Sequence, residues 1–355
     1  MAEPETFSAP PADRAPRVSV VMAVRNSARH LAEAVESILA QTYEDFEFLI
    51  VDDASDDETP EILNGFASRD GRIRIIRNDA NIGPYPSANR ALATARGDYI
   101  ARIDADDRCA PDRLTRQVTF LEERPDHLLV GCGYRSIDAN GSVRFRKPNP
   151  MDDFAVRWTA CFRMPMVHPG FCFRARLPDG TPVRYREDGF AAQDYALVGD
   201  LLGAGKAACI GDTLVDYRMH DGNISSTRLA EQNRTAEAVA TRVLIATTDD
   251  QTARSFAPFL SVVYGGQSQG PDALALSVKA FRNLINGTPT ARQRSWLRRR
   301  AAGYLADAFL RPARGFGDRV RFFRNISGLR LPLVLRALEV KGVLKPDPAP
   351  GEDSA

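Results

Sequence analysis

The sequence predicts an α/β protein: an open, mostly parallel sheet flanked by helices, followed by a helical C-terminal region. Three observations lead there. Apolar runs of strand length alternate with amphipathic runs of helix length across residues 17–107, the pattern of a sheet covered on both faces. Two of those runs stop abruptly in acids, at Asp52-Asp53 and at Asp104-Ala105-Asp106-Asp107, and in such sheets ligands settle outside the carboxyl ends of the strands. Beyond residue 226 the strand signals stop and only helical periodicity remains.

Residues 17–24 are almost continuously apolar, as a strand buried on both faces must be. Arg25-Asn26-Ser27 turns the chain and offers Ser27 as a cap for a helix with Leu31, Val35, Ile38 and Leu39 on one side. A second strand, 46–51, runs into six residues holding four acids, and Thr59-Pro60 opens the next helix with proline in its first turn. Residues 73–77 form a third strand, 81–84 a loop and 87–96 a helix. The stretch 97–107 carries Tyr99, Ile100 and Ile103, then ends in three carboxylates within four residues. A helix is expected at 111–123. Strands at 128–134 and 142–146 flank Asp138-Ala139-Asn140-Gly141, whose Asn-Gly predicts a hairpin. A short helix at 154–158, a strand at 166–173, a helix with Leu197, Leu201 and Leu202, and a strand at 213–217 follow. Helices are then expected at 230–247, 272–286 and 293–310, the last with Leu297, Ala301, Tyr304, Leu305 and Ala308 opposite Arg298-Arg299-Arg300.

At 355 residues the chain has room for one large α/β domain and a smaller appendage. The expected division is a disordered tail over 1–16, a domain over 17–226, a helical basic region over 227–345 and a second disordered tail over 346–355. The net charge of +1 conceals an asymmetry: residues 292–345 hold fourteen Lys/Arg against three Asp/Glu. That segment reads as a solvated face, a homodimer contact or a patch for an anionic membrane. No nucleic-acid partner is expected. No run reaches the length of a membrane span, and residues 1–17 lack the apolar core of a signal peptide. Five cysteines without metal-ligand spacing suit reduced, structural thiols in a cytoplasmic protein. Neither a Gly-x-Gly-x-x-Gly nor a phosphate-loop motif follows the first strand, which argues against a dinucleotide oxidoreductase and a P-loop NTPase.

An Asp-x-Asp alone is explained as well by a polar turn and helix cap as by a hard-cation site. Its surroundings extend the pattern. Residues 18–26, Val51-Asp52-Asp53-Ala54-Ser55-Asp56-Asp57-Glu58-Thr59, Asn81-Ile82-Gly83 with Asn89, the run 95–107, Gln193-Asp194-Tyr195 and Tyr217-Arg218-Met219-His220 occur in one order. Together they resemble the family 2 glycosyltransferases of the GT-A fold over residues 17–226. The resemblance implies a nucleotide-sugar-binding half at 17–107 and an acceptor half at 108–226. It implies that Asp53 accepts a hydrogen bond from the nucleotide base, and that Ala23, Arg25, Asn81, Asn89, Asp104 and Ala105 line the donor site. Asp104 and Asp106 would hold Mg²⁺ or Mn²⁺ against the diphosphate, with His220 as a further ligand, and Asp194 would be the general base. Asp52, Asp56 and Asp57 fit a polar turn, and Asp107 a supporting residue or cap. Arg218 would counter phosphate charge or sit in a surface ion pair; His168 suits a structural role, with an acceptor-side role as the alternative.

Two departures stand out. Ala23 and Arg25 occupy positions where the family usually has proline and tyrosine, and Gln193 stands where its acidic pair begins with glutamate. The resemblance implies inverting, metal-dependent transfer of a single sugar to a glycan, lipid-linked or small-molecule acceptor in cell-envelope or exopolysaccharide assembly. The alternatives are a nucleotidyltransferase, which should carry a glycine-rich phosphate loop, and a non-catalytic nucleotide-sugar-binding protein, which would not need the carboxylates.

Overall fold

The computed structural model describes residues 14–187, 192–219, 229–265 and 271–310. The chain divides into two compact units, Met1–Val239 and Ala240–Ala355.

In the first unit, β1 (Val18–Val24), β2 (Phe46–Asp52), β3 (Ile73–Arg77) and β4 (Tyr99–Arg102) form a parallel half-sheet in the order β3-β2-β1-β4. Between them run α1 (Ala28–Leu39), α2 (Thr59–Ala67) and α3 (Pro84–Thr94). Strand register aligns Val24 with Asp52 and Val21 with Arg102, which brings the acid-bearing strand ends to the same edge. Val18, Val20 and Met22 of β1 and Phe48 and Ile50 of β2 pack with Leu31, Val35 and Ile38 of α1, all at most 1% exposed. Each such side chain contributes about 1.5–3 kcal/mol by leaving water. The alternate residues Val21, Leu49 and Val51 are equally buried, and α3 packs against β1 and β2. Burial on both faces is why the β1 and β2 sequences read as apolar runs rather than alternations.

After β4 the sheet becomes mixed. The remaining elements are β5 (Arg108–Cys109), α4 (Arg113–Glu122), β6 (His127–Ile137), β7 (Val143–Lys147), α5 (Asp153–Ala160), β8 (Cys172–Arg174), α6 (Gln193–Ala204) and β9 (Lys206–Arg218). The order continues β4-β8-β6-β9-β5, with β7 on β6. β8 lies antiparallel to β4 and β6, β9 parallel to β6, and β5 antiparallel to β9. "Mostly parallel" therefore describes the first half of the sheet. The expected hairpin is present: Asp138 Oδ1 accepts from the amides of Asn140 and Ser142, and Gly141 takes φ +84°.

Three expected elements have different bounds. The strand at 166–173 shortens to β8, because His168–Gly170 folds into a 3₁₀ turn around Pro169, which has no amide to give a ladder. The strand at 213–217 begins at Lys206, its first half hidden from pattern reading by the register shifts against β6. The extended run expected after Gly97 ends at Arg102, one residue short of Ile103, so the acids lie on the loop that leaves it.

Gly97 fixes how tightly that strand enters the sheet. A Cβ there would stand 2.5 Å from the Ser19 amide nitrogen and 2.7 Å from the Val18 carbonyl carbon. Gly97→Ala should therefore cost about 1–3 kcal/mol, read as an earlier urea midpoint with unchanged slope.

The second unit is helical where described. α7 (Leu229–Thr247) leads into it, followed by α8 (Asp250–Ser255), α9 (Ala257–Gly265), α10 (Pro271–Gly287) and α11 (Ala291–Leu305). The expected face of α11 is buried at Leu297, Ala301, Tyr304 and Leu305. Residues 311–345, most of the basic segment, lie outside the described residues. No described helix is long and apolar enough to cross a membrane. All five cysteines are buried and none is in a disulfide, and burial pushes Cys132 and Cys172 up to about 12, so those two are inert thiols.

Candidate active site

The ends of β1 and β2 build one wall. Asp53 is 3% exposed. Its Oδ1 accepts from Asn78 Nδ2 at 2.7 Å and the Ile82 amide at 2.9 Å, and its Oδ2 from the Gly83 amide at 2.8 Å. Asp53 thus orders the 81–83 loop and retains one acceptor position on Oδ2. Asn81 Oδ1 also accepts from the Gly83 amide. Arg25 donates through Nη1 to the Asp53 and Ala54 carbonyls, both at 2.9 Å. It therefore braces the turn after β2, where Ala54 is held at φ +55°; Ala23 lies partly exposed on β1 beside it. Asn89 is committed elsewhere. Its amide pairs in both directions with the backbone of Tyr185, at 2.9 Å each. The expected contact with donor hydroxyls is thus corrected to a positioning role for Tyr185.

The acid loop follows β4. Arg102, 2% exposed, donates to the Val21 carbonyl at 2.8 Å and to Asp104 Oδ1 at 2.9 Å. Asp104 is one-third exposed, and Ala105 is buried. Asp107 is 1% exposed; one oxygen accepts the Arg218 amide at 2.7 Å and the other meets no hydrogen-bond donor. Burial, then repulsion from Asp106 and Asp104, pushes Asp107 well above the carboxylate range. Asp107 therefore supports the loop from beneath and caps no helix.

Arg218 corrects both sequence expectations for it. At 1% exposure it faces neither phosphate nor solvent. Nε donates to the Asp106 carbonyl at 2.7 Å, Nη1 to the Ala139 carbonyl at 3.1 Å, and Nη2 to Glu33 Oε2 at 2.9 Å. One guanidinium so ties the acid loop, the β6–β7 turn and α1 together. Arg113, 0% exposed, does the same for the strand end. It reaches the Arg102 and Phe171 carbonyls at 2.7 and 3.0 Å, with Gln117 Oε1 and Cys109 Sγ satisfying its other nitrogens.

The third wall joins Tyr85 of α3 to His168, Tyr185 and Asp194. His168 Nδ1 lies 4.0 Å from Asp104 Oδ1, and its Nε2 lies 2.6 Å from Tyr185 Oη. Tyr85 packs against both rings, with centroids at 6.2 and 5.4 Å. Burial, then the charges of Asp194 and Asp104, raise the Tyr85 phenol; burial and Arg102 lower His168. The fields of Asp104 and Asp194 both reach Tyr85, Tyr185 and His168. The fold thereby gathers these acids, ninety residues apart in sequence, around one cluster of rings. Asp194 lies in the first turn of α6 and its Oδ1 accepts the Tyr195 amide at 2.9 Å. Gln193 is completely buried, where a neutral amide avoids the cost of a buried carboxylate. Among the sequence-predicted positions, only His220 lies outside the described residues.

Sequence reasoning passed over Arg102, Tyr85 and Tyr185. The prolines on either side of Tyr85 were the one hint that this ring is held rigidly. Among the described residues no group of three or more His, Cys, Asp or Glu side chains is arranged to hold a metal. Asp104 and Asp106 nevertheless fit a shared site, because Mg²⁺ commonly takes one or two carboxylates and completes its shell with substrate phosphates and water.

A family model for glycosyl transferase family 2 matches residues 19–192. A glycosyltransferase of Haemophilus influenzae is 30% identical over 236 residues, covering 64% of this chain and 73% of that protein. The chain belongs to glycosyltransferase family 2. The succinoglycan biosynthesis protein ExoO of Rhizobium meliloti is 44% identical over 229 residues, covering 61% of this chain and 65% of that protein. The Bacillus subtilis glycosyltransferase EpsE is 44% identical over 127 residues, and the match spans only 36% of this chain and 46% of EpsE. Among solved structures, S. aureus TarS 1-349 in complex with UDP-GlcNAc superposes with a TM-score of 0.58 at 15% identity, covering 88% of this chain and 90% of that one. The mannosyltransferase PcManGT of Pyrobaculum calidifontis, in complex with GDP-Man and Mn²⁺, gives 0.51 at 21% identity, covering 96% and 91%. The glycosyltransferase fold of this chain is thus of the GT-A type.

Proposed function

We propose that this family 2 enzyme is a metal-dependent, inverting glycosyltransferase that moves a single sugar from a nucleotide-sugar donor to an acceptor hydroxyl in polysaccharide biosynthesis. The observation that carries the reading is the convergence of Asp104 and Asp194 on the ring cluster of Tyr85, His168 and Tyr185. Inversion requires the acceptor to attack from the side opposite the leaving diphosphate. That calls for one carboxylate at the acceptor and others at the phosphates. Asp194 takes the acceptor proton as the new bond forms. Asp53, with its remaining lone pair and the 81–83 loop it orders, receives the base. Buried Arg102 holds the Asp104 carboxylate toward the diphosphate. The phenol of Tyr85, kept protonated by burial and nearby acids, is a hydrogen-bond donor for the sugar.

Mg²⁺ or Mn²⁺ held by Asp104 and Asp106, with His220 as a further candidate, would offset the charge growing on the departing nucleoside diphosphate. PcManGT, whose complex contains GDP-Man and Mn²⁺, supports both a nucleotide-sugar donor and a metal. ExoO, a succinoglycan biosynthesis protein, supports a polysaccharide pathway. The absence of a membrane-crossing helix among the described residues favours single transfer over processive synthesis through a membrane. A glycan, a lipid-linked sugar or a small molecule fits the acceptor role, and the basic segment 292–345 favours work beside the inner face of a membrane.

Screening nucleotide sugars for metal-dependent hydrolysis and thermal stabilisation tests the donor assignment. Asp106→Asn then tests the metal: calorimetry with a nucleoside diphosphate should show affinity that rises with Mn²⁺ in the parent and is insensitive to it in the variant. Equal metal coupling in both proteins removes Asp106 from the site.

A further inference from the structure

The described residues expose six large hydrophobic side chains, and three of them converge on one hairpin: Val143, Phe145 and Met219, at 49%, 47% and 42%. Val143 pairs with Ile137, Phe145 with Ser136, and the Met219 amide donates to the Ile137 carbonyl. Contiguous apolar exposure of this kind marks an interaction surface. Strand alternation puts Phe145 on the same face as two further rings. Tyr134 meets Phe145 at 6.1 Å and Tyr217 at 5.9 Å, both edge-on. The strand also carries Arg144, Arg146 and Lys147 and no acid; Lys147 Nζ lies 5.6 Å from the Tyr134 ring centre.

Edge protection accounts for part of this. Among the described residues β7 pairs with β6 alone, and cations on a free edge discourage pairing with other chains. Edge protection does not account for exposed Val143 and Phe145 or for the row of rings, which make an edge more adhesive. The position of the hairpin supplies the missing reason. Its turn offers the Asp138 and Ala139 carbonyls to Arg218, whose amide and Nε hold Asp107 and the Asp106 carbonyl. Tyr217 of the ring row directly precedes Arg218 in β9, so the row lies beside the residue that anchors the acid loop, with the two side chains on opposite faces of the strand.

We propose that the β6–β7 hairpin is an acceptor subsite for an acidic glycan. The apolar faces of its sugars would lie against Tyr134, Phe145 and Tyr217, and its carboxylates or phosphates would pair with Lys147 beside those rings and, around the free edge of β7, with Arg144 and Arg146, which strand alternation places on the other face. The inference rests on the sugar-transfer reading above and gives that reading an acceptor class. Rings supply contact area at little entropic cost, and guanidinium groups bind carboxylate and phosphate in two-pronged fashion. A neutral glycan would leave the cations unused.

The test uses the full-length protein and an oligogalacturonate, with a neutral dextran oligosaccharide of equal length as control, titrated by calorimetry. The parent should bind the oligogalacturonate and not the dextran. Phe145→Ala and the double change Arg144→Gln with Arg146→Gln should each weaken that binding at least about tenfold, the range typical of lost interface anchors. Both variants alter exposed side chains, and their nucleoside diphosphate affinity should equal the parent's. Equal binding of dextran, no binding of oligogalacturonate, or unchanged affinity in the variants overturns the subsite. So does hairpin-dependent binding of phosphatidylserine vesicles without oligogalacturonate binding, which would make the surface a membrane contact. Failure of the parent to bind any nucleoside diphosphate would instead count against the donor reading, so the two failures are separable.

Discussion

Asp194→Asn should bind donor and melt like the parent yet transfer sugar roughly 10²–10⁴-fold more slowly, the range for loss of a general base. The substitution isolates proton transfer because Asn keeps nearly everything else. Asp194 Oδ1 accepts the Tyr195 amide at the start of α6, and an Asn carbonyl oxygen does so nearly as well. What disappears is the capacity to take a proton from the acceptor hydroxyl. Single-turnover transfer beside a thermal melt and a donor titration makes the distinction. Near-parental transfer by the Asn variant would remove Asp194 from the mechanism, and a lowered melting temperature with normal transfer would leave it only a cap.

Arg218→Met should lower the melting temperature by about 6–20 °C and abolish metal-coupled donor binding. The estimate follows from about 3–5 kcal/mol for breaking a buried charged network, at about 2–4 °C per kcal/mol for a unit of this size. Methionine fills much of the arginine's volume, so the loss is polar rather than steric. The carbonyls of Asp106 and Ala139 lose this donor together, and Glu33 Oε2 keeps only the longer bond from Arg108 Nη1 at 3.3 Å. The backbone bond to Asp107 remains, so the loop loosens rather than vanishes. Differential scanning calorimetry with and without Mn²⁺ and a nucleoside diphosphate reads both effects. A melt within about 2 °C of the parent would show that water replaces the guanidinium at little cost.

The parallel half of the fold was legible because its physics is local. β1 and β2 are buried on both faces, so their apolar runs announce themselves, and Pro60 and the Asn140-Gly141 turn mark boundaries by backbone chemistry, whereas Pro84, read as loop, opens a helix that starts three residues before the expected 87. The family resemblance led to Asp104, Asp106 and Asp194 because those acids follow recognisable elements. What stayed hidden depends on contacts between distant segments. Nothing around Arg218 says that it is buried, since its partners come from α1, the acid loop and the β6–β7 turn. Asn89 reads as a polar helix residue until Tyr185, ninety-six positions later, arrives to pair with it. β8 is read as part of a longer strand, but its place between β4 and β6 is set by pairing with segments distant in sequence. Arg102 appears as one polar residue in a strand, and its pairing with Asp104 becomes visible only when Val21 fixes the other side of the guanidinium.

The Arg218 bolt also sets a timetable for synthesis. Its bonds to Asp107, Asp106 and Glu33 span 111, 112 and 185 residues, among the costliest loops to close in a folding chain. The acids leave the ribosome in the first third of translation, and the residue that secures their loop leaves more than a hundred residues later. A nascent chain holding β1 to β4 can bury its apolar runs as a unit while its acid loop still lacks its anchor. The order of the acid loop therefore depends on the docking of β9, which is synthesised more than a hundred residues after the acids.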